Sequence, residues 1–297
     1  TETMRPFELM LIAVITVDLL VLLPALKYKR FLPHRYHGGW LVLAGVVLVL
    51  QVVVEGPRWQ MNAAYAAAAL LAVGHMRTGW LHALSHSPLG SWLAVSVVFL
   101  ALCFSGVAGW ALPVPQIPEP RGPYPVGTQV FEWTDASREE AYTDSTGDRR
   151  RLMVQVWYPT EDAPDAPRAR WLPHARVIGE AFLRDLDLPG WGMDHLALTQ
   201  MPAYTDAPLR GEAVRYPIIV HAHGWTGFRT VSVDQHLHLA SHGYVVFAAD
   251  HTYGALATVF ADGEVALNRP DALPPRSAPN RQPRIERLIG LEHDIRG

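Results

Sequence analysis

The sequence predicts an N-terminal α-helical membrane domain followed by an α/β domain with a mostly parallel sheet. Two observations lead to this prediction. Long apolar runs fill the first 112 residues, whereas nearly all the Asp and Glu residues lie beyond them. Beyond residue 127, strand patterns alternate with helix patterns, as in a sheet that carries helices on its faces. The 297 residues are enough for about two domains.

Four apolar runs are candidates for membrane-spanning helices. A helix needs about 20 apolar residues to cross the hydrocarbon core, with a range of about 17–25. The first and fourth runs reach this length, the second nearly does, and the third is marginal and could instead form a buried or interfacial helix. The sequence therefore predicts about four transmembrane helices in a domain of residues 1–112. The runs are Leu9–Leu26, Gly39–Val54, Trp59–Val73 and Leu89–Leu112.

Basic residues near the span ends predict the orientation of this domain. The loop between the first two runs holds the strongest basic cluster, which favours the cytoplasm. Four spans then place both termini and everything after Leu112 outside the cytoplasm, whereas three spans place the C-terminal part inside. We predict a multi-pass cell-membrane protein with an extracytoplasmic α/β domain. The cluster consists of Lys27, Lys29, Arg30 and Arg35.

Asp18 is the one ionisable residue within the first apolar run. Because a charge inside a membrane is costly, such a residue is a functional hypothesis by default. The alternative is a packing role against a polar neighbour such as Gln51, and we expect that role here.

A proline-rich segment predicts the domain boundary. Residues 113–127, PVPQIPEPRGPYPVG, contain six prolines, which favour an extended and stiff spacer. The α/β domain is therefore predicted to occupy residues 128–297. Alternating polarity around the turn sequence DSTGD predicts a hairpin, and Gly243 is a natural helix stop. The predicted elements are a hairpin of 127–135 with 150–160, helices near 176–186, 233–242 and 281–297, and strands over 216–220 and 244–250.

Composition excludes several classes of function. The net charge of −3 gives no electrostatic basis for binding nucleic acid. The single cysteine, Cys103, lies in an apolar run and provides neither a disulfide framework nor a cysteine metal site.

The sequence HAHGWTGF, from His221 to Phe228, directly follows the strand pattern YPIIV. Ligands in open α/β sheets bind outside the carboxyl ends of strands, so a loop there can present backbone N–H groups to an oxyanion. Gly224 and Gly227 would allow a tight turn, with the Trp225 N–H directed at the oxygen. A tight turn without chemistry explains this motif equally well.

The stretch YPIIVHAHGWTGFRTVSVDQHLHLASHGYVVFAADHTYG resembles the platelet-activating-factor acetylhydrolase type of α/β-hydrolase, which is related to dienelactone hydrolases and bacterial polyester hydrolases. The resemblance covers about residues 127–297 and is specific over 217–254. The apolar leader resembles membrane-anchored bacterial versions. The resemblance implies a serine ester hydrolase that acts on lipid-like or hydrophobic acyl esters without a cofactor.

The same resemblance assigns roles to residues of the loop. It implies that the Trp225 N–H is the first oxyanion donor, in a catalytic loop that also contains Gly224 and His223. It places Trp225, Thr226 and Phe228 at the rim of the acyl pocket, and His251 is added to the predicted substrate-binding residues.

The chain departs from the family at the nucleophile. The family's serine lies in a Gly-X-Ser-X-Gly elbow, and no serine of these 297 residues has this setting. We expect the sequence to stop about one strand before the nucleophile, which leaves the α/β-hydrolase domain incomplete, with Ser, Asp and His beyond residue 297 and this chain inactive alone. The alternative is a non-catalytic membrane protein that binds a ligand or partner.

Six histidines between residues 221 and 251 raise a second alternative, a metallohydrolase. His221 and His223 on one face of a strand would suit zinc, but the neighbouring Gly and Trp supply no further ligand. His236 and His238 are two apart on a predicted helix and face different ways. We therefore predict no metal site.

Overall fold

The computed structural model describes residues 4–29, 32–77, 86–161, 165–211 and 215–269. The chain divides into two compact units, Thr1–Val114 and Pro115–Gly297, called here the helical unit and the α/β unit. The helix predicted over 281–297 lies outside the described residues.

The helical unit contains four α-helices among its described residues. Their common core consists of apolar side chains from all four helices, among them Leu11, Val47, Ala64 and Val98. A π-helical turn, Gln51–Glu55, continues α2, and a 3₁₀ turn, Trp59–Met61, precedes α3. The helices are α1 Pro6–Lys27, α2 His34–Leu50, α3 Asn62–Met76 and α4 Pro88–Ala111.

Three helices in the described part of the chain are long and apolar enough to cross a membrane: Pro6–Lys27, His34–Glu55 and Pro88–Ala111. The third predicted span, Trp59–Val73, lies in the 3₁₀ turn and the 15-residue α3, which is shorter than these three helices. The Ala-rich sequence of α3 gives it small side chains, and these pack in the centre of the helical unit.

Asp18 is fully buried, but its partners are not the predicted Gln51. It accepts a hydrogen bond from the Tyr36 hydroxyl at 2.6 Å and lies 3.0 Å from Nε2 of His75. Nδ1 of His75 lies 2.7 Å from Nδ1 of His37, so three helices share one polar chain. Gln51 instead accepts from the Tyr65 hydroxyl. The expected packing role is therefore retained, but with different partners.

The α/β unit contains a six-stranded sheet in the order β3-β4-β1-β2-β6-β5. The α-helices are α5 Ala175–Leu183 and α6 Val233–Ser241, and 3₁₀ turns cover Arg184–Leu186 and Gly190–Leu198. The strands are β1 Val126–Glu139, β2 Arg149–Pro159, β3 Arg168–Arg170, β4 Gln200–Thr205, β5 Ile218–Ala222 and β6 Val245–Asp250, with a separate hairpin of β7 Ala257–Val259 and β8 Val265–Leu267.

The prediction of a mostly parallel sheet is wrong for the described residues. Only the pairs β1–β4 and β5–β6 are parallel, and the other three pairs are antiparallel. The predicted hairpin of β1 and β2 is confirmed, and a hairpin connection makes its strands antiparallel. The parallel prediction rests on the β5–α6–β6 segment, and this segment sets the direction of only one pair of strands.

The β5–α6–β6 segment forms as its sequence predicts. Helix α6 ends before Gly243, which has a φ of +94°. Its buried face packs Val233, Leu237 and Ala240 against Trp157 of β2 and Ala248 of β6. This packing fixes the carboxyl ends of the parallel strands β5 and β6 side by side.

The proline-rich segment makes specific contacts within the α/β unit. The Gly122 N–H donates to the Ser241 hydroxyl at 3.0 Å, and the Tyr124 N–H donates to the Ser241 carbonyl at 3.1 Å. A side chain at Gly122 would meet that carbonyl oxygen at 2.1 Å. Residues 122–124 are therefore fixed against the end of α6.

Candidate active site

The candidate site is a loop, residues 223–229, that follows the carboxyl end of β5. A second loop, residues 251–256, follows the carboxyl end of the neighbouring strand β6. Because β5 and β6 are parallel, both loops lie at the same edge of the sheet. This is the edge at which α/β proteins bind ligands.

The amide groups of the first loop have different partners. The Thr226 N–H donates to the Gly254 carbonyl at 2.9 Å, and the Gly227 N–H donates to the Gly224 carbonyl at 2.8 Å. The N–H groups of Gly224 and Trp225 donate to no residue in the described part of the chain. An amide without an internal acceptor is available to a bound oxyanion, so this role is open to Gly224 and Trp225.

Gly227 has a steric reason to be glycine. A side chain there would lie 2.9 Å from the Gly224 carbonyl oxygen and 3.0 Å from Cβ of His223. A side chain at Gly224 would meet no atom within 4 Å. The left-handed position of the turn is occupied by Thr226, with a φ of +63°. The expectation that both glycines are needed for a tight turn therefore applies to Gly227 alone.

Replacing Gly227 with alanine is expected to destabilise this loop by about 1–3 kcal/mol, because backbone and His223 atoms would have to move. Gly224→Ala is the matched control, with an expected change below about 1 kcal/mol because its surroundings are open. Hydrogen–deuterium exchange of peptides over residues 221–232 measures both. Equal protection in the two variants would contradict this account.

His223 is buried and holds the two loops together. Its Nε2 accepts from the His251 N–H at 3.1 Å, which leaves Nδ1 protonated to donate to the Gly224 carbonyl at 2.8 Å. Burial lowers the pKa of His223 to about 4, so the ring is neutral at pH 7. Since both nitrogens are engaged, the structure assigns His223 to positioning the loop next to Trp225.

Asp250 holds the other end of the loop. This carboxylate is 1% exposed and accepts from the Arg229 N–H at 2.6 Å and from the Arg229 guanidinium. The Leu256 N–H also donates to the Gly227 carbonyl at 2.9 Å. The loop is therefore attached to the β6 side at residues 223, 226, 227 and 229, which flank the free amide of Trp225.

The remaining predicted residues differ in exposure. Trp225 is half-buried and Thr226 is exposed, as residues at a rim would be. Phe228 is half-buried and packs against a core that includes Leu172 and Ala257. His251 is buried, with its ring centroid 4.6 Å from that of His223. Phe228 and His251 thus support the loop from the interior in the described structure.

A small cavity lies beside the loop. Its lining includes Trp171, His174, Phe228, Arg229 and Asp250, and its volume is about 30 Å³. A water molecule needs about 10–15 Å³ measured this way, so the cavity is sized for water and not for an acyl chain. Burial, followed by the nearby Arg229 charge, lowers the pKa of His174.

The sequence analysis predicted no role for Arg229 or Asp250. A usable signal was present, because an Asp that ends a buried strand requires a partner. Arg229 is the basic residue that directly follows the predicted loop, which makes it the natural partner.

The histidines form pairs rather than a metal cluster. The rings of His221 and His236 lie 4.4 Å apart, and His236 also lies 4.5 Å from the ring of Trp157. His238, on the opposite face of α6, is exposed, which confirms that His236 and His238 face different ways. Among the described residues, no group of three metal-ligating side chains has suitable geometry.

His236 predicts a pH dependence of stability. Both ring nitrogens are buried without a hydrogen-bond partner among the described residues, and burial lowers the pKa to about 4. Since the unfolded pKa is about 6.5, the unfolded chain binds the proton first as pH falls. The stabilisation is therefore present above about pH 6.5 and is lost towards pH 4.

His236→Phe is expected to remove this loss, worth roughly 2 kcal/mol at pH 5 for a 2.5-unit difference in pKa. Urea unfolding at pH 7.5 and pH 5 measures it, and His238→Gln on the exposed face of α6 is the control. An unchanged difference between the two pH values in His236→Phe would contradict the prediction.

A comparison with family profiles decides the classification. The profile described as Platelet-activating factor acetylhydrolase, isoform II matches residues 111–274, more than half of the chain. The chain belongs to this family. The resemblance predicted from residues 217–254 is thereby confirmed, and the family is one of ester hydrolases.

Curated relatives of this acetylhydrolase family show the same similarity. The platelet-activating factor acetylhydrolase of Cavia porcellus is 29% identical over 153 residues, 48% of this chain and 30% of the relative. A probable 1-alkyl-2-acetylglycerophosphocholine esterase of Arthroderma benhamiae is 27% identical over 178 residues, 53% of this chain and 44% of the relative. The chain thus spans less than half the length of these relatives.

A solved structure of a ferulic acid esterase from Streptomyces cinnamoneus is also similar. It shares 29% sequence identity, and the match covers 52% of this chain and 41% of the esterase, with a TM-score of 0.43.

Proposed function

We propose that this chain is part of a membrane-anchored carboxylic ester hydrolase that acts on lipid-like or hydrophobic acyl esters through a serine acyl-enzyme. The observation that carries the proposal is the free N–H of Trp225, in a loop attached on both sides at the carboxyl edge of the sheet. Membership of an ester hydrolase family supports the same chemistry.

In the proposed reaction a serine oxygen attacks the ester carbonyl carbon while a base takes its proton. The carbonyl oxygen becomes anionic, and the Trp225 N–H donates to it. The alcohol leaves with a proton, and water then releases the acid. Removing one oxyanion donor costs about 10²–10³ in rate in comparable sites, so this amide is worth about 3–4 kcal/mol.

The serines of the described α/β unit do not match the family's nucleophile setting. Ser241 donates its hydroxyl to the His238 carbonyl at 2.8 Å and accepts from Gly122. None of Ser137, Ser145, Ser232 and Ser241 lies in a Gly-X-Ser-X-Gly sequence. We therefore propose that the catalytic Ser, Asp and His are supplied by residues outside 1–297.

Residues 1–297 alone are expected to show no esterase turnover, because the loop supplies an oxyanion donor but no nucleophile. Hydrolysis of 4-nitrophenyl acetate, together with labelling by a fluorophosphonate probe, measures this. Clear turnover or labelling by the purified chain would overturn the assignment of the nucleophile to other residues.

Reading the coding sequence beyond Gly297 tests the wider proposal. A Gly-X-Ser-X-Gly sequence within about 20 residues, and fluorophosphonate labelling of the longer product, would support the esterase. Their absence would favour the alternative, a non-catalytic membrane protein whose α/β unit binds a ligand or partner.

We also propose that the helical unit anchors the chain in the cell membrane with four crossings. The 3₁₀ turn Trp59–Met61 and α3 together cover residues 59–76, which is within the spanning range of about 17–25 residues. Four crossings place the α/β unit outside the cytoplasm. Labelling of a Ser145→Cys variant in intact cells by an impermeant maleimide, with Cys103→Ser as background, supports this topology, and protection from labelling refutes it.

A further inference from the structure

A groove lies in the helical unit between the carboxyl end of α1 and the amino end of α4. Its volume is about 470 Å³, within the range of about 300–1,000 Å³ typical of small-molecule pockets. Apolar side chains form most of its walls. These are Leu23, Pro24, Leu26, Pro88, Trp92 and Val95.

One end of the groove is basic, and the rest of its wall is mostly apolar. Lys27 and Lys29 are exposed where α1 ends, and no carboxylate is present among the described residues that line the groove. Tyr28 and Trp92, which also line it, are 62% and 65% exposed. Aromatic rings of this kind concentrate at the boundary between hydrocarbon and headgroups. The groove therefore presents two cations beside an apolar wall.

The surface next to the groove is also apolar. On α1, Val17 and Leu20 are 59% and 62% exposed, and on α4, Leu93 is 58% exposed. An occupant must therefore combine an anionic end with a long apolar part. A soluble anion would make no contact with the apolar wall, and a neutral lipid would leave the two lysines without an anionic partner.

We propose that this groove binds a phospholipid with an anionic headgroup, whose phosphate contacts Lys27 and Lys29 while an acyl chain lies along α1 and α4. Basic pockets at the ends of membrane helices bind acidic lipid headgroups by this chemistry. The proposal rests on the proposed membrane location. It assigns to the helical unit a lipid site in addition to the ester-binding loop.

The test uses the full chain in detergent micelles that contain equal amounts of phosphatidylglycerol and phosphatidylcholine. Native mass spectrometry then counts the lipids that stay bound. Phosphatidylglycerol is expected to be retained preferentially. Each lysine contributes about fivefold to this preference, so the variant Lys27→Gln with Lys29→Gln should lose about 25-fold.

The matched control removes two positive charges elsewhere in the helical unit, Arg35→Gln with Arg77→Gln, since both residues are exposed and neither lines the groove. It should keep the preference. A third variant, Ser91→Trp, fills the groove while both lysines remain, and it should lose the bound lipid.

Several results would overturn the proposal. An unchanged preference in the lysine variant would show that Lys27 and Lys29 do not hold the headgroup. An equal loss in the arginine control would show general charge attraction. Displacement by glycerol phosphate at equal concentration would identify a free phosphate site, and a dimer mass that excludes lipid would identify a second copy as the occupant. Alkaline carbonate extraction of the chain from membranes tests the membrane location separately, because lipid preference is measured in micelles.

Discussion

Replacing Asp250 with alanine is expected to destabilise the edge of the α/β unit that holds the oxyanion loop by about 3–5 kcal/mol. The carboxylate and the Arg229 side chain are only 1% and 12% exposed, so removing one charge leaves the other buried without its partner. Amide exchange in peptides over residues 221–232 and 245–256 should accelerate by about a hundredfold or more.

Two further variants distinguish the loss of the ion pair from a general destabilisation of the fold. Asp250→Asn keeps the volume and one acceptor for the Arg229 N–H, so its loss should be smaller than that of alanine. Asp234→Ala removes an exposed carboxylate from α6 and should leave exchange unchanged. If Asp250→Ala exchanges at the rate of the Asp234 control, then Asp250 does not hold the loop.

Replacing Arg58 with methionine is expected to produce a loss of similar size in the helical unit. Arg58 donates to the two carboxylate oxygens of Glu8 at 2.7 and 2.5 Å, and both side chains are fully buried. Its guanidinium also donates to the Leu112 carbonyl at 3.0 Å. Removal leaves a buried carboxylate with Arg5 as its remaining partner, at a cost of about 3–5 kcal/mol.

The double variant Glu8→Leu with Arg58→Met is the informative comparison. Apolar residues of similar volume can replace a buried ion pair without loss, so the double variant should be more stable than Arg58→Met alone. Thermal unfolding of the full chain in detergent, followed by helical circular dichroism, measures all three proteins. A double variant less stable than the single one would show that the pair is not the source of the loss.

Local sequence patterns were sufficient for most of the helices and strands. The apolar runs gave α1, α2 and α4, and the alternation around DSTGD gave the β1–β2 hairpin. Val233–Ser241 formed α6 up to its glycine stop. These elements are readable because the period of apolar residues follows directly from which face of a helix or strand is buried.

The candidate loop could be located from the sequence, but its internal support could not. The motif HAHGWTGF follows a strand and includes the residues with free amides, Gly224 and Trp225. Which amide of the loop is occupied depended on Gly254, a residue 28 positions after Thr226 in another loop, because its carbonyl accepts from the Thr226 N–H. That a side chain fits at Gly224 but not at Gly227 likewise depended on how closely His223 approaches Gly227.

The sequence by itself determined the class of each half, the position of the loop at the end of β5, and the ester hydrolase family. Only the tertiary structure decided that the sheet is mixed, that Asp18 bonds Tyr36 and His75, and that Asp250 binds Arg229. The physical reason is range. The periodicity of buried residues is set within a few neighbouring residues, so the sequence shows it directly. A buried charge or amide has many possible partners that are distant in sequence, and only the packing of the folded chain determines which one it contacts.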